Sequence, residues 1–181
     1  MAHLRVPSLI VLAALQSGCG ADPEPTCNAG EELARGEVSA SLSTQGLDGA
    51  ADGTWTASAG TFTLQASEVF INVNREDGWG MVIHALRDVN GDPVVDLVAA
   101  GTFPIEVALH ERDETGGEAF LYAASGEGLY TGEGGTGSLT LTGPGDGDDT
   151  LAGCFAFTAA VVGDAATSAT LTDGALHLRE L

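Results

Sequence analysis

"GTFPIEVAL", residues 101–109, carries the clearest alternation in the chain. Apolar residues recur there at every second position, Phe103, Ile105, Val107 and Leu109, with Thr102, Pro104, Glu106 and Ala108 between them. Successive side chains of an extended strand point to opposite faces, so this period of two predicts a strand with one face in a core and the other toward solvent. Proline has no N–H to give to a ladder, so Pro104 inside the run predicts an edge position or a bulge.

The same period runs through the chain on both sides. Val38, Ala40 and Leu42 alternate with Glu37, Ser39 and Ser41, and Phe62, Leu64 and Ala66 with Thr61, Thr63 and Gln65. Further strands are predicted over 69–74, 79–86, 93–98, 118–123, 137–142, 151–162 and 175–180. No long stretch has helical spacing. Gly53-Thr54-Trp55, Gly60-Thr61-Phe62 and Gly101-Thr102-Phe103 each read as the start of a strand, the Gly permitting the turn and the ring entering the core. Their uneven intervals argue against a solenoid repeat. Short strands at intervals of roughly 8–12 residues predict an all-β fold, an antiparallel β-sandwich of roughly 9–11 strands, with a closed, lipocalin-like β-barrel as the alternative. The pattern occupies residues 35–181, a length suited to one domain with a real core.

Ahead of that domain the chain reads differently. His3 and Arg5 lie in a short polar leader, an apolar run extends from Leu9 to Leu15, and Ser17, Gly18 and Gly20 are small, which together make the three parts of a secretory signal. The run is far below the roughly 20 apolar residues that cross a hydrocarbon core, and a short buried helix there would have nothing to pack on. Residues 1–18 are therefore read as a signal peptide. The segment resembles bacterial lipoprotein signals, whose lipobox runs Leu, a small residue, Gly or Ala, then the Cys that is acylated. Ser17 and Gly18 match the two positions before Cys19, while Gln16 stands where an aliphatic residue is usual and Leu15 comes one place early. The resemblance implies a lipid on Cys19 and attachment to a membrane facing the periplasm or cell surface. Ordinary cleavage after Ala21, giving a freely secreted protein, is the alternative. Residues 19–34, with two prolines and few large apolar groups, read as a flexible tether.

With Cys19 set aside, the three cysteines become a pair, Cys27 and Cys154. Behind a signal peptide the compartment is oxidising, and a disulfide between them is expected rather than two unrelated buried thiols. Every acidic residue lies after Cys19, there is no Lys, and the formal charge of the whole sequence is −20. Such a surface repels phosphate backbones and anionic lipid, which excludes nucleic acid as a partner and leaves solubility or attraction of cations.

Trp55, "GTF" at 101–103, "GSLTLTG" at 137–143 and "AGCFAFTAA" at 152–160 resemble the motifs of small, β-rich bacterial lipoproteins of unknown function. The likeness covers most of residues 35–181. It implies a fold and an envelope location, and no catalytic residue is carried over.

Motifs of chemistry are sparse. There is no Gly-x-Ser-x-Gly. His84, His110 and His177 each fall within a strand pattern, where a structural or surface His is the ordinary reading. "HERDE" at 110–114 has Glu114 where a zinc protease motif needs its second His, and lies at a strand end instead of on a helix. "DVNGDPVVD", 88–96, sets Asp88, Asn90 and Asp92 at alternate positions with Asp96 following, an arrangement of hard oxygens suited to Ca²⁺. The loop departs from an EF-hand at its fourth, sixth and twelfth positions, Gly91, Pro93 and Ala99, and an Asn90-Gly91 hairpin turn accounts for the same residues. "GPGDGDDT", 143–150, reads the same way. No other cofactor is implied. Two classes of function follow: a non-enzymatic, lipid-anchored envelope β-domain that binds an envelope protein or small ligand, including a Ca²⁺-stabilised form of it, or a secreted hydrolase using paired carboxylates.

Overall fold

The computed structural model describes residues 33–47, 52–110, 116–132, 135–144 and 149–181. The signal segment with Cys19, most of the tether with Cys27, and residues 111–114 and 145–148 of the two later motifs lie outside the described residues.

The fold is all-β, with eleven strands and one short helix among the described residues. In chain order the strands are β1 Val38–Gln45, β2 Gly53–Ala57, β3 Gly60–Leu64, β4 Val69–Asn74 and β5 Gly80–Ala85, then β6 Ile105–Leu109, β7 Gly117–Tyr122, β8 Gly128–Tyr130, β9 Gly137–Gly143, β10 Thr150–Val161 and β11 Asp164–Glu180. Alternation drives them as the sequence predicts: Val69, Ile71 and Val73 of β4 and Met81, Ile83 and Ala85 of β5 are fully buried, while Phe70, Asn72, Val82 and His84 stand on the outward face. The inward rows of the other strands, including Ile105, Val107 and Leu109 of the opening stretch, complete one continuous core.

The strands join into a single sheet rather than two, in the order β2-β1-β11-β3-β4-β5-β7-β6-β9-β10-β8, with added pairings β11–β10 and β7–β8. Those two pairings bring the sheet back onto itself without making a clean barrel. The seams are narrow: β6 meets β7 only at Leu109↔Gly117 and β3 meets β11 only at Thr61↔Arg179 and Phe62↔Glu180. Both seams are parallel, an exception to the antiparallel expectation. The long β11 is the spine, with β10 along one edge and β1, then β3, along the other. A bulge at Asp173, whose φ is 51°, bends it, shifting register against both β1 and β10. Gly174 is required there, because a Cβ would come within 2.4 Å of the Phe155 carbonyl.

Three sequence expectations are corrected. Residues 93–98 are not a strand; Val94–Ala100 form a helix, α1. The Pro93 carbonyl accepts from the N–H groups of Asp96 and Leu97, and Gly101 ends the helix in the left-handed conformation. The Gly101 N–H reaches Val98 O and the Thr102 N–H reaches Leu97 O, the paired bonds of a Schellman motif. The apolar residues of "VVDLV" recur at helical spacing, so Val94 is buried and Val95, Leu97 and Val98 pack on the core. Gly101 thus closes a helix, whereas Gly53 and Gly60 do open strands. Pro104 is not inside a strand: β6 begins after it, following a cis Phe103–Pro104 bond, and β6 pairs on both sides.

Candidate functional site

The Asp88 loop is a turn built on the Asp88 carboxylate. Asp88 Oδ1 accepts from the N–H groups of Asn90 at 2.9 Å and Asp92 at 2.8 Å, and Oδ2 accepts from Asn90 Nδ2 at 2.9 Å. Desolvation pushes the Asp88 carboxyl up, but hydrogen bonds from the Asn90 side chain and the backbone of Asp92, Asn90 and Gly91 outweigh it and hold the carboxyl below the usual range. Arg87 Nη1 donates to Gly91 O, and an isolated bridge joins Arg87 to Pro93. Asp88, Asn90 and Asp92 are therefore together, while Asp96 sits in the first turn of α1. Among the described residues, no group of three or more His, Cys, Asp or Glu comes together as a metal site.

The histidines have separate roles. His84 lies on the outward face, its Nδ1 2.9 Å from Glu68 Oε2 and its ring edge-to-face with Phe70 and Phe120, at centroid distances of 4.8 and 5.5 Å. Glu118 is its cross-strand neighbour, and Phe120 continues the row to Tyr130. Glu68 and Glu118, both next to His84, are 8% and 9% exposed. They lie on a sheet face among aromatic rings. His110 ends up past β6, its carbonyl tied to Thr131 Oγ1. His177 is 1% exposed, with Nδ1 2.9 Å from Leu33 O and Nε2 buried without a hydrogen-bond partner among the described residues.

Cys154 is disulfide-bonded. It shares the outward face of β10 and β11 with His177, since Cys154 pairs with Ala175 and Ala152 with His177. Leu33 covers His177 on that face, and the N–H groups of Gly36 and His177 bond to His177 O and Glu37 O respectively. Both cysteines that can complete the bridge, Cys19 and Cys27, lie outside the described residues.

A cleft of about 700 Å³ opens between the start of β1, the end of β2 and the β4–β5 turn. Glu37 and Ser39 of the β1 side, Thr56 and Ser58 at the end of β2, and the β4–β5 turn Asn74–Asp77 line it. Arg75 is the cation there. Its Nη2 is 2.6 Å from Asp77 Oδ2, and its guanidinium sits 5.6 Å from the Trp55 ring centroid. The ion pair is partly exposed and contributes little stability, but with the cation–π contact it holds the turn over the buried indole. No motif in the sequence announces this cleft, because its walls come from three segments far apart in the chain. The only local sign is Arg75 itself, a lone cation among Glu76 and Asp77.

No protein-family model, curated protein or solved structure matches the chain.

Proposed function

We propose that the protein is a non-enzymatic, lipid-anchored β-domain of the bacterial envelope that binds a partner or small ligand through its surface. The observation that carries this reading is the disulfide at Cys154. Bridged cysteines belong to oxidising compartments, which agrees with the signal pattern of residues 1–18. With three cysteines in the sequence, the bridge takes Cys154 and one other and leaves one over. A lipid on Cys19 accounts for the remaining thiol and assigns Cys27 to the bridge. Acylation by several chains, at about 0.8 kcal/mol per buried CH₂, makes such an anchor lasting. The likeness to small β-rich lipoproteins supports the same reading.

Mass analysis of the mature protein isolated from membranes tests it. Acyl mass on Cys19, partition into detergent, and a Cys27–Cys154 peptide seen only without reductant are expected. Cys19→Ser should stay unprocessed or appear soluble with an unchanged far-UV β signature. A mature chain that begins after residue 19, or carries an unmodified Cys19, rules out the anchor and leaves a freely secreted domain.

A hydrolase using Glu68 and Glu118 beside His84 is the second reading, favoured by the near-burial of both carboxylates. Glu118→Gln separates the two, since it abolishes turnover of any substrate of a paired-carboxylate enzyme and leaves partner binding elsewhere intact.

A further inference from the structure

Among the described residues, every strand but one has strand neighbours on both sides. Among the described residues β2 pairs with β1 alone, through Val38↔Ala57 to Leu42↔Gly53, and its other edge is open. Edge strands are ordinarily guarded by Lys, Pro, a bulge or an inward-pointing charge, because an open row of N–H and C=O groups templates further pairing. β2 reads "GTWTA", has none of these guards, pairs with β1 without a register shift, and exposes Thr54 and Thr56. It is also held rigid. Trp55 is fully buried beneath Arg75, so the strand is preorganised and loses little freedom on pairing.

We infer that the open edge of β2 docks an extended basic segment of a partner protein, which adds to the sheet as a further strand and places a cationic side chain in the adjoining cleft. The occupant's charge follows from the cleft's own. Glu37, Glu76 and Asp77 line it, and Arg75, the single cation among its described lining residues, is engaged by Asp77 and by the Trp55 ring, so negative charge is in excess. A chain with a formal charge of −20 also steers cations toward itself over long range. Main-chain bonds along β2 supply affinity, and the cleft beside its last residues reads a Lys or Arg. The inference rests on the binding-domain reading above but not on the lipid at Cys19.

The test uses the full chain and a fluorescein-labelled oligopeptide of alternating lysine and threonine, followed by fluorescence anisotropy and amide exchange. Saturable binding with slowed exchange at Thr54 and Thr56, and no change in β8, is expected. The same peptide N-methylated at alternate residues keeps its charge but cannot pair as a strand, and should bind about tenfold more weakly or worse. Glu76→Lys, an exposed position, should weaken the parent peptide about threefold or more without altering the fold. Equal binding of the N-methylated peptide reveals mere charge attraction and overturns the inference, as does absent binding or absent protection at β2. Such a result with Cys19 acylated leaves the anchored reading intact, whereas peptide binding by a chain lacking the lipid does the reverse.

Discussion

The hydroxyl of Thr131 donates to the carbonyl of His110 at 2.9 Å while accepting the N–H of Ala119 at 3.1 Å. Thr131 is buried, and these bonds tie the end of β8 to β7 and β6 where the sheet narrows to a single residue pair. Thr131→Val keeps the shape and removes both bonds, leaving a buried N–H without its acceptor. We expect a loss of about 1–3 kcal/mol in urea unfolding, with Thr131→Ser recovering most of it. Equal midpoints for wild type and Thr131→Val would show that the seam does not depend on the hydroxyl.

Glu68 and His84 form a partly buried pair between two aromatic rings. Glu68→Ala removes the partner of a shielded imidazole and should cost about 1–3 kcal/mol, whereas Glu68→Gln, which still accepts a hydrogen bond, should cost less. Phe70→Ala removes an edge-to-face contact worth about 0.5–1.5 kcal/mol beyond its buried area. A double-mutant cycle between positions 70 and 84 reads that coupling directly, and a coupling near zero contradicts the ladder.

Asp88 is held ionised by the turn it caps. Because its folded-state carboxyl titrates below the unfolded one, its contribution is fully present above the unfolded value, about 3.9, and is lost as pH falls through the lower folded value. The thermal midpoint of wild type should exceed that of Asp88→Asn at neutral pH, and the gap should close below about pH 4. A gap that persists at low pH removes the electrostatic explanation. In the same assay, a midpoint raised by CaCl₂ but not by MgCl₂, and only when Asp92 is intact, is the signature of the Ca²⁺ loop.

Gly101 ends α1 with φ at 67°, and nothing lies within 4 Å of where its Cβ would be. The cost of Gly101→Ala is therefore backbone strain alone, about 1–2 kcal/mol. Asn tolerates the left-handed region better, so Gly101→Asn should cost visibly less. Identical losses for the two would mean that the space, not the dihedral angle, is limiting.

Removing the bridge at Cys154 should cost about 2–5 kcal/mol, because the disulfide restricts the unfolded chain over a long loop. Cys154→Ser and reduced wild type should unfold at the same guanidinium concentration, below that of oxidised wild type. If Cys27→Ser stays at the wild-type midpoint, Cys27 is not the partner.

The alternations of Val38, Ala40 and Leu42, of Val69, Ile71 and Val73, and of "SLTLT" within β9 were legible in the sequence because a period of two is a local property of an extended chain. The helix at 94–100 was harder to read, since a short run such as "VVDLV" fits either period. Pro93 before it and Gly101 after it were the deciding signals, and both were present in the sequence. The first half of β11 escaped because its outward Ala and Thr residues lack a clear apolar face until it is paired with β10.

Local alternation was enough to fix the all-β class and the faces of most strands, and composition alone showed the excess of negative charge. Strand neighbours came from the folded chain, and with them the parallel seams at Leu109↔Gly117 and Thr61↔Arg179, the Glu68–His84 pair, and the cleft beside β2. The physical reason is range. A side chain's face follows from its immediate neighbours along the chain, whereas the partner of a strand edge depends on closing loops of tens of residues around a shared core, which no local pattern encodes.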